Sequence, residues 1–425
     1  QLASCETYMQ AEKVLLGKCC LLSLLPLLQG AQPKGEDNGV FSLRLTALLE
    51  VLLPRLVPEA CIQTEEWDLD ISDNLLSLFR NTPKGCQAWT LDATTLVEMF
   101  EKDLTSSAPA WHSFPDRMKS VALGDDHVVF LTENALYSVG GNSYGQCGVE
   151  SSGRRIEKPQ LLTHHSNEIA EVQAGYYHNL VLFSDGSVSS FGWNNHGQCG
   201  CSKDREFVHF SGSNIVGTPA AKLACGSLHS AVVTREGRLL MFGWNSYSQL
   251  GLSTVEDVDT PTLVPFPEAE PLSDCACGAW HTVAVARSGR SYGWGWSCDG
   301  QVGVGDSSVH ASPECILAIP RAVAVACGCR HTVLLCGGVG GPLTLFGFGH
   351  AAFASFGAAP QGPAAVRSGP SSRKRALSGS PAALPTTVEG CHSPIRVEVG
   401  SAGLRLSGVK ARCYHTVLDF RADSL

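Results

Sequence analysis

Charge is scarce in this chain. Asp, Glu, Lys and Arg make up 17% of its 425 residues and the balance is negative, with a formal net charge of −9. A general binder of nucleic acid or of an anionic membrane needs a basic face, so direct nucleic-acid binding is not expected. Long apolar runs are missing too. The run "CCLLSLLPLLQ" is bracketed by Lys18 and broken by Pro26. It offers about ten apolar residues where a membrane span needs about 20, so it reads as a buried helix rather than a signal peptide or a span. No P-loop, HExxH or paired-carboxylate motif occurs. The chain therefore reads as a non-enzyme without a cofactor.

Zinc-type cysteine spacing is also absent, although cysteine itself is abundant at 18 residues. There is no C-x-x-C pair, only C-x-C pairs such as Cys275/Cys277 and Cys327/Cys329, which lack zinc-finger spacing. Cys147 and Cys199 stand where related segments carry Leu250 and Val302, and Cys225, Cys277 and Cys327 share a slot with Ala174. Cysteine is thus used as a small apolar residue, which predicts buried thiols, no metal and a reducing compartment, cytoplasmic or nuclear.

What the sequence has in plenty is repetition. "YYHNLVLFSDGSVSSFGWNNHGQCG" from Tyr176 is followed by "SLHSAVVTREGRLLMFGWNSYSQLG" from Ser227. In register with them are "GDDHVVFLTENALYSVGGNSYGQCG", "AWHTVAVARSGRSYGWGWSCDGQVG" and "CRHTVLLCGGVGGPLTLFGFG". The histidines His127, His178, His229, His281 and His331 are spaced by 51, 51, 52 and 50 residues, and a partial copy, "CYHTVLDF", carries His415. Each copy holds a β-prone run after the histidine, a glycine turn (Gly186, Gly237, Gly289), a second strand ending in aromatic residues, and a closing "GQCG"-like turn. One such unit cannot bury both of its faces and must stack on its neighbours, as a propeller or a solenoid.

Kelch units have this length, but their double glycine occurs only once, at Gly140-Gly141. Val139–Gly148, Phe191–Gly200, Phe242–Gly251 and Trp294–Gly303 instead resemble the WGxNxxGQLG-like strand and turn of the regulator of chromosome condensation (RCC1) repeat. That family also has a histidine at the start of the preceding hairpin. The resemblance covers about residues 115 to 350 plus the last 25, and implies a mainly β fold, an RCC1-like β-propeller. Five to six blades are recognisable, an incomplete count against the seven usual in the family.

Residues 1–110 lack the repeat. Apolar positions at helical spacing (Phe41, Leu45, Leu48, Leu49, Leu52, Leu56), "SDNLLSLF" after Ser72 and "DATTLVEMFEKDL" after Asp92 predict an α-helical domain ahead of the propeller. The expected organisation is then a helical domain over 1–110 and propeller repeats over 111–355. A flexible Pro/Gly/Ser/Ala-rich insertion over 356–395 and a last partial repeat over 396–425 complete it. Within the insertion, Arg373-Lys374-Arg375 with Ser378 resembles a basophilic kinase site or a minimal import signal.

A residue that recurs once per blade meets a need of every blade. The six histidines are therefore expected to be structural, most simply by bonding from imidazole to backbone at the inner strand. The binding candidates lie elsewhere. Trp193, Trp244 and Trp296 each stand where a strand runs out into a polar turn that carries His196, Tyr247 and Asp299 respectively. Consecutive blades would repeat this placement as an arc on one rim, a composition suited to holding a protein partner. Packing between blades is the alternative role for these tryptophans. The function expected is that of a protein-interaction scaffold. The resemblance implies a second reading, guanine-nucleotide exchange on a small GTPase of the Ran, Rab or Arf type, although no recurrent acidic loop supports it.

Overall fold

The structure is a computed structural model. It describes residues 67–71, 75–82, 85–92, 111–350 except 151–152, 165–167, 269, 318 and 338–342, and then 391–397, 404–412 and 415–422. Seven antiparallel sheets follow one another along these residues, six of four strands and a last one of two. We call them blades 1 to 7, spanning 67–114, 118–163, 169–208, 220–263, 272–315, 322–397 and 404–422.

The second strand of each central blade shows why the sheets stack. "HVVFLT" in blade 2 is apolar almost throughout, where a sheet with one wet face would alternate with polar residues, and it is buried along its whole length. Its side chains still alternate in direction. Val128 and Phe130 pack with Phe79, Cys86 and Phe114 of blade 1, whereas Val129 and Leu131 pack with Val172, Val181 and Phe191 of blade 3. The same division gives apolar cores between blades 3 and 4, 4 and 5, and 5 and 6. The core of the molecule is therefore the set of blade boundaries.

The first strands of blades 2 to 6 line a central cavity of about 490 Å³. Fourth strands face outward, as the mostly exposed Arg155–Thr163 illustrates.

Two expectations need correction. The first three strands of blade 1 lie inside the segment expected to be helical: Leu75–Thr82 is a strand, paired with Trp67–Ile71 on one side and Gly85–Asp92 on the other. The spacing of Leu75, Leu76, Leu78 and Phe79 fits a helix, but a run this short does not separate helix from strand. There is no α-helix among the described residues, and the helices expected before residue 67 and after Asp92 fall outside them. The blade count also rises, from five to six recognisable units to seven sheets. The Asn-x-x-Gly-Gln-like closing turn is missing from blades 1, 6 and 7, and the second strand of blade 1 also lacks the opening histidine. Strand Thr344–Gly349 of blade 6 pairs with Cys391–Val397 in the same sheet. Of the insertion expected over 356–395, residues 391–395 belong to the strand Cys391–Val397, and the rest, with Ser378, lies outside the described residues, while His415 begins the last strand.

The cysteines occupy the places expected of small apolar residues. Cys147 and Cys199 are fully buried, as are Leu250 and Val302 in the matching slot. Of the twelve cysteines from Cys86 to Cys336, eight are buried, Cys201, Cys225 and Cys298 are partly exposed and Cys315 is exposed, and none of the twelve is in a disulfide. Burial pushes the Cys147 and Cys327 thiols up to about 12.

Candidate functional site

Blade geometry fixes the rim before any binding residue is considered. After the third strand, the amide of Trp193 donates to the carbonyl of Tyr177, that of Trp244 to Leu228 and that of Trp296 to Trp280, each at 2.8 Å. The closing turn is then stapled twice. Asn194 Oδ1 accepts the amide of Cys199 at 2.9 Å, and Gln198 Oε1 accepts that of His196 at 3.0 Å. Asn245 and Gln249 hold Leu250 and Tyr247 in the same way, and Gln301 holds Asp299 at 2.9 Å. Thus the Gln of the repeated motif, with Asn in two blades and Ser297 in the third, holds a rigid turn that presents His196, Tyr247 and Asp299 beside the tryptophans.

These side chains form one continuous band. Trp193 lies against His196 (5.5 Å between ring centroids), His196 against Trp244 (6.1 Å), and Trp244 against Tyr247 (5.5 Å). Tyr247 reaches Trp296 at 5.9 Å. At the far end the Arg330 guanidinium stands 5.4 Å from the Trp296 ring centre, and its Nε and Nη2 both meet Asp299 Oδ2 at 2.6 Å. All six residues singled out in the sequence are therefore brought together. The three tryptophans are half-buried, whereas Phe191, Phe242 and Trp294, two residues earlier in each strand, are fully buried between blades.

The band also contains residues that the sequence did not disclose. Tyr144 and Tyr177 extend it onto blade 2, at 4.8 Å from each other and 5.3 and 6.1 Å from Trp193. Trp280 sits between Trp244 and Trp296, 4.7 Å from the latter. Carboxylates line it: Asp125 accepts the Tyr177 hydroxyl at 3.0 Å, and Asp257 takes His196 Nδ1 at 2.7 Å and the Asn245 amide at 2.9 Å. Asp125 precedes a histidine, Asp257 lies in a third-to-fourth-strand loop and Asp299 in a closing turn. An aligned repeat cannot show them as one set, and only their neighbours in space do.

Beneath the rim lie the repeated histidines, which are structural but in a different way from that expected. Their rings reach side chains of the next blade. Nε2 of His178, His229 and His281 meets Ser230, Thr282 and Thr332 at 2.9, 3.1 and 3.0 Å. Each hydroxyl donates its one proton to the carbonyl of Gln198, Gln249 or Gln301. The hydroxyl must therefore accept from imidazole, which places the imidazole proton on Nε2. His127 meets Asn179 Oδ1 at 2.9 Å, and the amide nitrogen of Asn179 continues to Gln146. Nδ1 of His178, His229 and His281 has no partner. Burial lowers all three to about 3, so they are neutral. The glycine before each ring makes room for it: a Cβ on Gly226 would sit 2.1 Å from His229 Cε1.

Near the rim end of the central cavity, the Tyr176 hydroxyl of blade 3 crosses to Cys329 Sγ of blade 6 at 3.1 Å. Deeper in the cavity, one level carries Glu171, Lys222 and Asp274 on successive blades. Burial raises both carboxyls, and Asp274 accepts the Val325 amide of the next blade at 3.2 Å.

Comparison with known proteins agrees with this architecture. A family model described as RCC1-like domain matches residues 90–380. The ultraviolet-B receptor UVR8 of Arabidopsis thaliana is 32% identical over 222 residues, covering 51% of this chain and 50% of that protein. The X-linked retinitis pigmentosa GTPase regulator homolog of Caenorhabditis elegans is 30% identical over 183 residues, 42% of this chain and 13% of the relative. The matches thus span half or less of these relatives. Among solved structures, human WBSCR16 superposes with a TM-score of 0.60 at 20% identity, covering 82% of this chain and 85% of its own. Prp20p from Saccharomyces cerevisiae gives 0.58 at 15% identity, covering 87% and 85%. Those two likenesses are of fold. With the family model matching well over half of its length, and with the repeated histidines and the glycines before them accounted for by blade packing, the chain belongs to the RCC1-like domain family.

Proposed function

We propose that this propeller is a protein-interaction scaffold and that the aromatic rim over blades 2 to 6 is its docking face. The observation that supports this most is the continuity of the band from Tyr144 to Arg330. Aromatic side chains and arginine carry most of the binding energy in protein interfaces. A half-buried row of them on rigid turns loses little conformational freedom on docking. A cytoplasmic or nuclear setting goes with this reading, since the buried cysteines such as Cys147, Cys199 and Cys277 form no disulfide.

Ser143, Asn195 and Ser246 are the exposed tips of three rim turns, so Ser246→Lys obstructs the face without removing packed atoms. Affinity capture followed by mass spectrometry should lose its specific partners with Ser246→Lys, and the melting temperature should stay within about 2 °C of wild type, as for a surface change. Retention of every partner would assign docking to another face.

A second reading, exchange on a small GTPase, is favoured by the relative that is named a GTPase regulator homolog. Exchange requires no covalent chemistry, only differential binding to one GTPase state. Release of fluorescent GDP from Ran-, Rab- and Arf-type GTPases, timed with and without the protein, tests it. Unchanged release across the panel would leave the scaffold reading alone.

A further inference from the structure

The rim contains one worked example of what it can hold. Arg330 lies over Trp296 and is capped by Asp299, and that carboxylate takes Nε and Nη2 on a single oxygen. Aromatic face plus carboxylate cap is a pairing that suits a planar guanidinium and suits the compact, strongly hydrated ammonium of lysine less well. The elements of the same pairing recur along the band. Trp193, Tyr177 and Tyr144 stand beside Asp125, and Trp244 and His196 stand beside Asp257. Rings along the band meet edge to face or tilted, at 87° for Trp193–His196 and 88° for Trp244–Tyr247. An edge-to-face pair covers a face of only one of its two rings, where flat stacking would cover a face of both. Asp257 keeps 23% of its side-chain surface exposed beside His196. The chain's net charge of −9 attracts a basic partner over longer range.

On the reading that the rim is the docking face, we infer that its partner presents a segment bearing arginine side chains. These would enter the Trp193/Asp125 and Trp244/Asp257 positions as Arg330 enters the Trp296/Asp299 position. A lysine-bearing segment of equal charge would be held only by the long-range field, and an acidic one would be repelled.

Fluorescein-labelled peptides of four Gly-Arg, four Gly-Lys or four Gly-Glu units, titrated into the full chain by fluorescence anisotropy, test this. The Gly-Arg peptide should bind about tenfold more tightly than the Gly-Lys peptide, and the Gly-Glu peptide should not bind. Trp244→Ala and Trp193→Ala should each weaken Gly-Arg binding about tenfold, and Asp257→Asn should do so severalfold. Glu236→Gln removes the same charge from the exposed hairpin at the opposite end of blade 4, and should change nothing. Should a tryptophan variant fail to fold, Ser246→Lys replaces it, with the same loss expected. Equal affinity for the Arg and Lys peptides, or equal losses with Glu236→Gln and Asp257→Asn, would overturn the inference as non-specific charge attraction. If Ser246→Lys abolishes partner capture while no basic peptide binds, the docking face stands and the arginine chemistry falls.

Discussion

Ser230 sits at the centre of a relay that accepts from His178 Nε2 and donates to the Gln198 carbonyl across a blade boundary. Removing the hydroxyl leaves two buried groups unpaired, so Ser230→Ala should cost about 2–4 kcal/mol in chemical denaturation. Ser230→Thr restores the hydroxyl that blades 5 and 6 use and should cost less than about 1 kcal/mol. Protonation attacks the same relay. A histidine that titrates near 6.5 unfolded and about 3 folded takes up a proton on unfolding anywhere between those values. The stability from His178, His229 and His281 is complete above pH 6.5 and is lost as pH falls toward 3, by about 2 kcal/mol each at pH 5. Glu171 and Asp274, with raised carboxyls, oppose this trend as they protonate. Calorimetry from pH 7 to 5 should show a falling melting temperature with proton uptake on unfolding, and a flat profile would contradict the buried neutral imidazoles. At this scale the sequence was legible wherever a residue recurred. The histidines and the six rim residues could be found by alignment, whereas Asp125, Asp257 and Arg330 occupy unrelated positions in their repeats and become a set only in space.

Within an element, glycine decides how closely strands approach. Gly243 has φ +108°, and a Cβ there would meet the Leu228 carbonyl oxygen at 2.6 Å and His229 Cα at 2.8 Å. Both obstacles are backbone and cannot turn aside, so Gly243→Val should destabilise by about 4 kcal/mol or more. A melting temperature unchanged in that variant would refute the packing of the third strand against the second. The strands of blades 2 to 6 were legible because β-prone runs, turn glycines and a fixed period agreed with one another. Blade 1 was not. Its second strand is a short leucine-rich run whose side chains fit helical and strand spacing alike, and only its pairing with Trp67–Ile71 and Gly85–Asp92 settles the difference.

At the scale of the molecule, the boundary expected at residue 111 cuts through a blade rather than between domains. Blade 1 covers Met118, Val128 and Phe130 of blade 2 with Phe79, Cys86 and Phe114. A chain beginning at 115 would expose that surface, and should aggregate or lose its cooperative melting transition, as measured by size exclusion and calorimetry. A soluble monomer with a wild-type melt would show that blade 1 is dispensable.

The bond from Tyr176 to Cys329 has a consequence of another kind. Most contacts in this molecule join neighbours along the chain, within a blade or between adjacent blades, so blades can accrete one after another. This bond joins positions 153 residues apart, and it can close only when blades 3 to 6 have taken their places around the cavity. Among the described residues it is a clasp across blades that otherwise meet in series. With Cys329 buried beneath it, the reactivity of that thiol during refolding is a clock for the arrival of the last of those blades. Tyr176→Phe would let the clasp swing open while leaving each blade intact.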